Sequence, residues 1–225
     1  MAKSTVPPPP SFDGSTAGLR AQILATEHWS LLASRTTTQN EVLSRISIFL
    51  TLVSATLVSL ALVGQATQFG EAFPMFAIAI LAFAAIVGVL TQVRVTNAMM
   101  EDLAYVLAMN RLRGAYAALA PGVKDAFMTS VHDDQDGIFT TYYFLGPRRN
   151  GSQVLGSTMV FIAVVNGALV GLLGAAVVLM AAVAVAAAVV VGSAVAVIYV
   201  GVSIFIGSRP FFTFWKTHVA HNPTR

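Results

Sequence analysis

The densest group of side chains able to do chemistry is His132-Asp133-Asp134-Gln135-Asp136-Gly137. Alternating carboxylates before a glycine are how a calcium loop begins, because hard cations gather oxygen ligands and the glycine permits a sharp turn. With Gly137 set at loop position 6, Asp136 and Asp134 fall at positions 5 and 3. His132 then stands at position 1 and Tyr143 at position 12, so two of the strongest ligands are missing and an EF-hand is excluded. Asp134 and Asp136 are left as a loose divalent-cation site. The simpler uses are a solvated acidic turn, or ion pairs with Arg111 or Arg113.

Two other groups invite a chemical reading. Asn110-Arg111-Leu112-Arg113 places two guanidinium forks close together, which suits a phosphate or an anionic lipid headgroup; the plain alternative is a basic flank beside a membrane span. Glu27-His28-Trp29 joins a base to an aromatic ring, but no nucleophile stands near it in sequence, and an interfacial Trp with polar neighbours is the simpler reading. The chain has no cysteine, which removes disulfides, thiolate chemistry and zinc–thiolate sites. It has no P-loop, GxGxxG, HExxH or GxSxG pattern. No cofactor is therefore expected, and no catalytic set.

The elements that must carry these residues are unusual for a water-soluble chain. Hydrophobic residues make up 56% and charged residues 10% of the 225, where about 25% charged is ordinary. Mean hydropathy is +0.75 and the pI is near 9.5. The net charge is +3, and thirteen basic residues spread over several segments are too few and too scattered for nucleic acid. A crossing needs about 20 apolar residues. Ile46 to Ala66 (TM1) and Phe73 to Val93 (TM2) meet that need without a charge, and Pro74 sits harmlessly in the first turn of the second. From Leu155 to Ile206 the apolar run would be about 78 Å long as one helix, too long for one crossing. It is expected to fold as TM3 (155–178) and TM4 (182–207), with Gly171 to Gly174 as a rival place for the turn.

All thirteen Lys and Arg lie in 1–45, 94–149 and 209–225. The positive-inside rule then puts both termini and the long loop in the cytoplasm. Residues 1–16 read as a Pro-rich disordered or polyproline tail. Residues 17–45 read as a cytoplasmic or interfacial helix, with Leu19, Ile23, Leu24, Trp29, Leu31 and Leu32 as its apolar residues. A helix is expected from about Arg94 to Ala120, burying Met99, Leu103, Val106 and Met109 and stopping at Pro121-Gly122. Thr140 to Leu145 suits a short strand or an interfacial segment. Phe211 to Trp215 suits an aromatic anchor in the tail 208–225, and Asn150-Gly151-Ser152 is a glycosylation sequon that cytoplasmic placement would leave unused.

No ionisable residue falls inside the four spans, against a proton-coupled path. Gln65 and Asn166 suit interhelical hydrogen bonds or a pore lining. Gly167-x-x-x-Gly171, extended by Gly174, is a small-residue spacing for close approach of a helix from the same chain or a second copy.

Glu27-His28-Trp29-Ser30-Leu31-Leu32, Glu101-Asp102-Leu103 through Met109-Asn110-Arg111-Leu112-Arg113, and His132-Asp133-Asp134 resemble a family of four-span, chiefly actinobacterial membrane proteins, over roughly residues 20–210. The resemblance implies topology and no activity. Two spans flanked by cytoplasmic helices also resemble, in architecture alone, the SLATT membrane effectors, which lack the TM3–TM4 hairpin. The expectation is an all-α polytopic protein of the bacterial inner membrane: four transmembrane helices, cytoplasmic helical extensions, both termini inside. It would be non-enzymatic, bathed in lipid, and either a homo-oligomer or an accessory subunit of a larger assembly. The alternative is a pore-forming effector gated by its cytoplasmic helices.

Overall fold

The computed structural model describes residues 14–146, 155–181 and 184–224. The proline-rich stretch up to residue 13, the sequon at 150–152 and Arg225 lie outside them. The described chain is all-helical. Helix α1 is Gly14–Ala66, α2 is Phe73–Leu119, a 3-10 turn covers Pro121–Ala126, α3 is Gln135–Tyr142, α4 is Thr158–Met180 and α5 is Val185–Thr217. Helices α1, α2, α4 and α5 are each long and apolar enough to cross a membrane. This is a multi-pass architecture.

Several boundaries differ from the sequence reading, each for a physical reason. Residues 14–16, grouped there with the tail, already belong to α1, and residues 17–45 and TM1 form one helix because nothing between them breaks it. TM2 and the segment after it are likewise one helix, ended before Pro121. Thr140 and Thr141 lie in α3 and not in a strand; the Thr140 hydroxyl donates to the carbonyl of Asp136 one turn back. TM4 runs on past Arg209 and through Pro210 to Thr217. The rival turn at Gly171 to Gly174 is excluded, since both glycines lie inside α4.

The chain divides into two compact units. One, here the core unit, comprises residues 35–103 and 155–218 as far as they are described. Phe49, Leu81, Ala84, Ile162 and Leu169 form its centre, with Val42, Ile46, Val95, Ala98 and Met159 around them. Ile48, Leu57, Phe83, Ile86, Val197 and Ile198 are exposed, as side chains facing hydrocarbon must be. Helices α4 and α5 touch backbone to backbone. A Cβ on Gly171 would lie 2.7 Å from the Gly192 carbonyl oxygen, and one on Gly192 2.7 Å from that of Gly171; a Cβ on Gly167 would lie 3.1 Å from the Ala196 carbonyl oxygen. The pairs 171/192 and 167/196 are both centred between residues 181 and 182. Their register therefore sets the turn between Met180 and Val185, where no residue type marks one.

The other unit, here the head, is assembled from residues 14–34, 104–146 and 219–224. Ala17, Ala21, Leu24, His28 and Leu31 are half-buried. Their alternating spacing of four and three makes a seam of the coiled-coil kind along α1. Leu19, Ile23, Trp29 and Leu32 are exposed instead. The seam, and not hydrophobicity alone, selects which residues turn inward. Val106, Leu107 and Met109 are buried from α2, and Ile138 from α3.

Candidate functional site

Asn110, fully buried on α2, organises the head. Its Nδ2 donates to the His132 carbonyl at 2.8 Å, and its Oδ1 accepts from Arg113 Nη1 at 2.8 Å and Thr141 Oγ1 at 3.0 Å. One amide thus ties α2 to the 130–133 turn and to α3. Gly137 completes the turn: a Cβ there would collide with the His132 carbonyl. Asp134 is the N-cap of α3, its Oδ1 accepting from Gly137 N at 2.8 Å. Capping carboxylates satisfy an otherwise unpaired helical N–H and suit the positive end of the helix dipole.

The acidic cluster serves a strap outside any helix, residues 219–224, bent at His221 and Asn222. Asp133 has no solvent exposure. Its Oδ1 accepts from Asn222 N at 2.7 Å, and its Oδ2 from His221 N at 2.9 Å and Arg111 Nε at 2.6 Å. Asp134 takes Thr224 N at 2.6 Å on Oδ2 and Thr224 Oγ1 at 2.8 Å on Oδ1. The Asn222 carbonyl accepts from Asp133 N at 3.3 Å and lies 3.2 Å from His132 Nδ1. The Asn222 side chain donates to the Val131 carbonyl at 3.0 Å and lies over Gly114, where a Cβ would stand 3.1 Å from its nitrogen. Burial pushes the Asp133 and Asp134 carboxyls up, but the hydrogen bonds from the strap outweigh it, with Arg111 and Gly137 adding to them, and both are held below the usual carboxylate range.

The cation, phosphate and base readings can now be placed. Arg111 is engaged with Asp133, and Arg113 with Asn110, so both guanidiniums are used within the head. Both oxygens of Asp134 are occupied by the strap and the cap. Asp136 lies in the first turn of α3. Among the described residues no group of three or more His, Cys, Asp or Glu is placed so that it could hold a metal ion. His28 stacks on Tyr116 with ring centres 6.1 Å apart. Burial and then the nearby Arg113 lower its pKa.

In the core unit, Asn166 makes the interhelical hydrogen bond expected of it, while Gln92 and the ion pairs of Arg94 and Arg35 escaped the sequence reading. Gln92 is buried on α2, and its Oε1 accepts from Asn166 Nδ2 at 2.9 Å and Tyr199 OH at 2.8 Å, joining three helices. Asn166 Oδ1 makes no hydrogen bond among the described residues and is pressed against Gly88. A glutamine within an apolar span was the available signal. Also in the core unit, Arg94 bridges Glu101 at 2.6 Å and Glu41 at 3.0 Å, and Arg35 grips Asp102 at 2.6 Å. The seven-residue step from Arg94 to Glu101, two turns on one face, pointed to the first. Gln65, the other expected polar partner, is exposed. Gly167 and Gly171 pack on α5 within the chain; Gly174 meets only Val195, at an ordinary 3.6 Å.

No protein-family model, curated protein or solved structure matches this chain.

Proposed function

We propose that this chain is a non-enzymatic, multi-pass protein of the bacterial inner membrane that works by association, with a second copy of itself or as an accessory subunit of a larger assembly. The observation that carries the reading is the outer side of α1 in the head. Trp29 is 71% exposed there, and Leu19 and Ile23 are each 60% exposed. Large apolar side chains on a unit with a water-compatible, hydrogen-bonded interior suit a protein–protein contact.

The assembly of the head supports placing both termini on one face. Its three segments are separated by α1–α2 and by α4–α5, two crossings each, so a compact unit made from all three suits an even number of passages. The confinement of Lys and Arg to the segments outside the spans favours the cytoplasmic face. The neutral Gln92–Asn166–Tyr199 group supports a structural over a conducting interior, because its hydrogen bonds join helices to one another.

The test exploits the absence of cysteine. Single-cysteine variants Ile23→Cys and Trp29→Cys are crosslinked in native membranes, with half-buried Ala21→Cys as the comparison. Adducts at 23 and 29 but not at 21, either dimeric or to one defined partner, are expected. Monomer alone at all three would remove the proposal. Steady ion conductance by the reconstituted protein would replace it with the pore reading.

A further inference from the structure

We infer that the head carries a binding site for a short peptide bent at a central asparagine, and that residues 219–224 occupy this site as a releasable strap. Three observations lead there. First, recognition is of main chain: Asp133 takes two consecutive N–H groups, Asp134 takes a third, and the strap's carbonyl is answered by Asp133 N. Two consecutive N–H groups that converge on one carboxylate mark a bent main chain, the nest arrangement by which backbone holds an anion. Second, one side chain is read specifically. The Asn222 amide donates to the Val131 carbonyl in a recess that exists because residue 114 has no side chain. Third, the strap contributes almost no apolar burial. Val219 is 84% exposed, and His221, Pro223 and Thr224 are exposed as well.

A segment held by hydrogen bonds and not by burial opens at lower free energy than the packed parts of a fold. The receiving side is fixed without it: Asn110 secures the His132 carbonyl, Gly137 shapes the turn, and Arg111 holds Asp133 in place. The site therefore outlasts departure of the strap. The natural competitor is a segment of the same chemistry, a stretch able to bend at an Asn that is followed two residues later by Thr. A tethered occupant acts at an effective concentration of ~mM, so a free peptide should enter only when the strap is removed or weakened.

The probe is a fluorescein-labelled peptide of residues 218–224, added to detergent-solubilised full chain and to a chain ending at Thr217. Saturable binding to the shortened chain, weaker by at least about tenfold on the full chain, is expected. It should be lost when the peptide carries Asn222→Ala or the shortened chain carries Asp133→Asn. Equal binding to both chains, or none to a shortened chain that keeps its helicity and cooperative melting, would overturn the inference. Should the shortened chain not fold, hydrogen exchange on the full chain decides. The amides of 221, 222 and 224 should exchange at least about tenfold faster than those of 106–109. Exchange at one common rate would make residues 219–224 an integral part of the head and end the proposal.

Discussion

At the scale of the residue, Asp133 and Asn110 carry more of the head than their polarity suggests. A buried carboxylate that answers two amides and an arginine cannot be removed quietly, because its partners are left unsatisfied. Asp133→Ala should destabilise the head by about 3–5 kcal/mol, read as earlier loss of hydrogen-exchange protection in α3. Asn110→Ala should act through the same turn at about 1–3 kcal/mol. Acid gives a second check. The folded pKa values of Asp133 and Asp134 are depressed, so their contribution is complete above the unfolded value of about 3.9 and is lost as pH falls through the folded values. The two carboxyls should thus leave head stability level near neutrality and lower it below about pH 4; His28, whose folded pKa is depressed, adds an earlier loss as pH falls below its unfolded value of about 6.5. Asp133→Asn should flatten the more acidic of these losses, and an unchanged acid slope in the variant would contradict this assignment. The sequence displayed the acidic cluster plainly. Its use was hidden, because the groups it binds lie about ninety residues further along the chain.

At the scale of the element, the backbone approach of α4 and α5 makes sharply different demands on neighbouring glycines. Gly171→Val would drive a side chain into the Gly192 carbonyl and should destabilise the hairpin by about 1–3 kcal/mol in detergent unfolding. Gly174→Ala, with its nearest atoms at 3.6 Å, should be neutral within about 0.5 kcal/mol. Equal effects would mean that these helices do not meet along this face. Removing one bond of the polar knot, as in Tyr199→Phe, should cost about 0.6 kcal/mol, the average for interhelical bonds within membranes. Helix existence was readable from apolar run length, since lipid leaves few alternatives. The ends were read less well because they obey different constraints. Charge at Arg209 suggested an end to TM4, yet a helix can continue beyond the hydrocarbon, and Pro210 did not stop it. The α4–α5 turn follows from pairing register, a property of two segments together and invisible in either one.

At the scale of the whole molecule, the apolar outer surface of the core unit requires a bilayer or its substitute. A reporter fused at Arg225 and one inserted at Gly70 should report opposite faces, the first cytoplasmic; the same face for both would undo the four-crossing topology. The interior of this molecule was the least legible part from sequence. Gln92 stands near the end of an apolar run, and only the convergence of three helices makes it a centre. The head has a consequence for biogenesis. Its first two contributions are complete once residue 146 has been synthesised, but residues 221–224, which donate hydrogen bonds to Asp133 and Asp134, follow α4 and α5. At about 5–20 residues per second, the nascent head waits roughly 4–15 s for its final piece. A chain whose second hairpin stalls outside the bilayer would leave that position vacant, so quality-control proteases could tell finished from unfinished molecules by the state of the head alone.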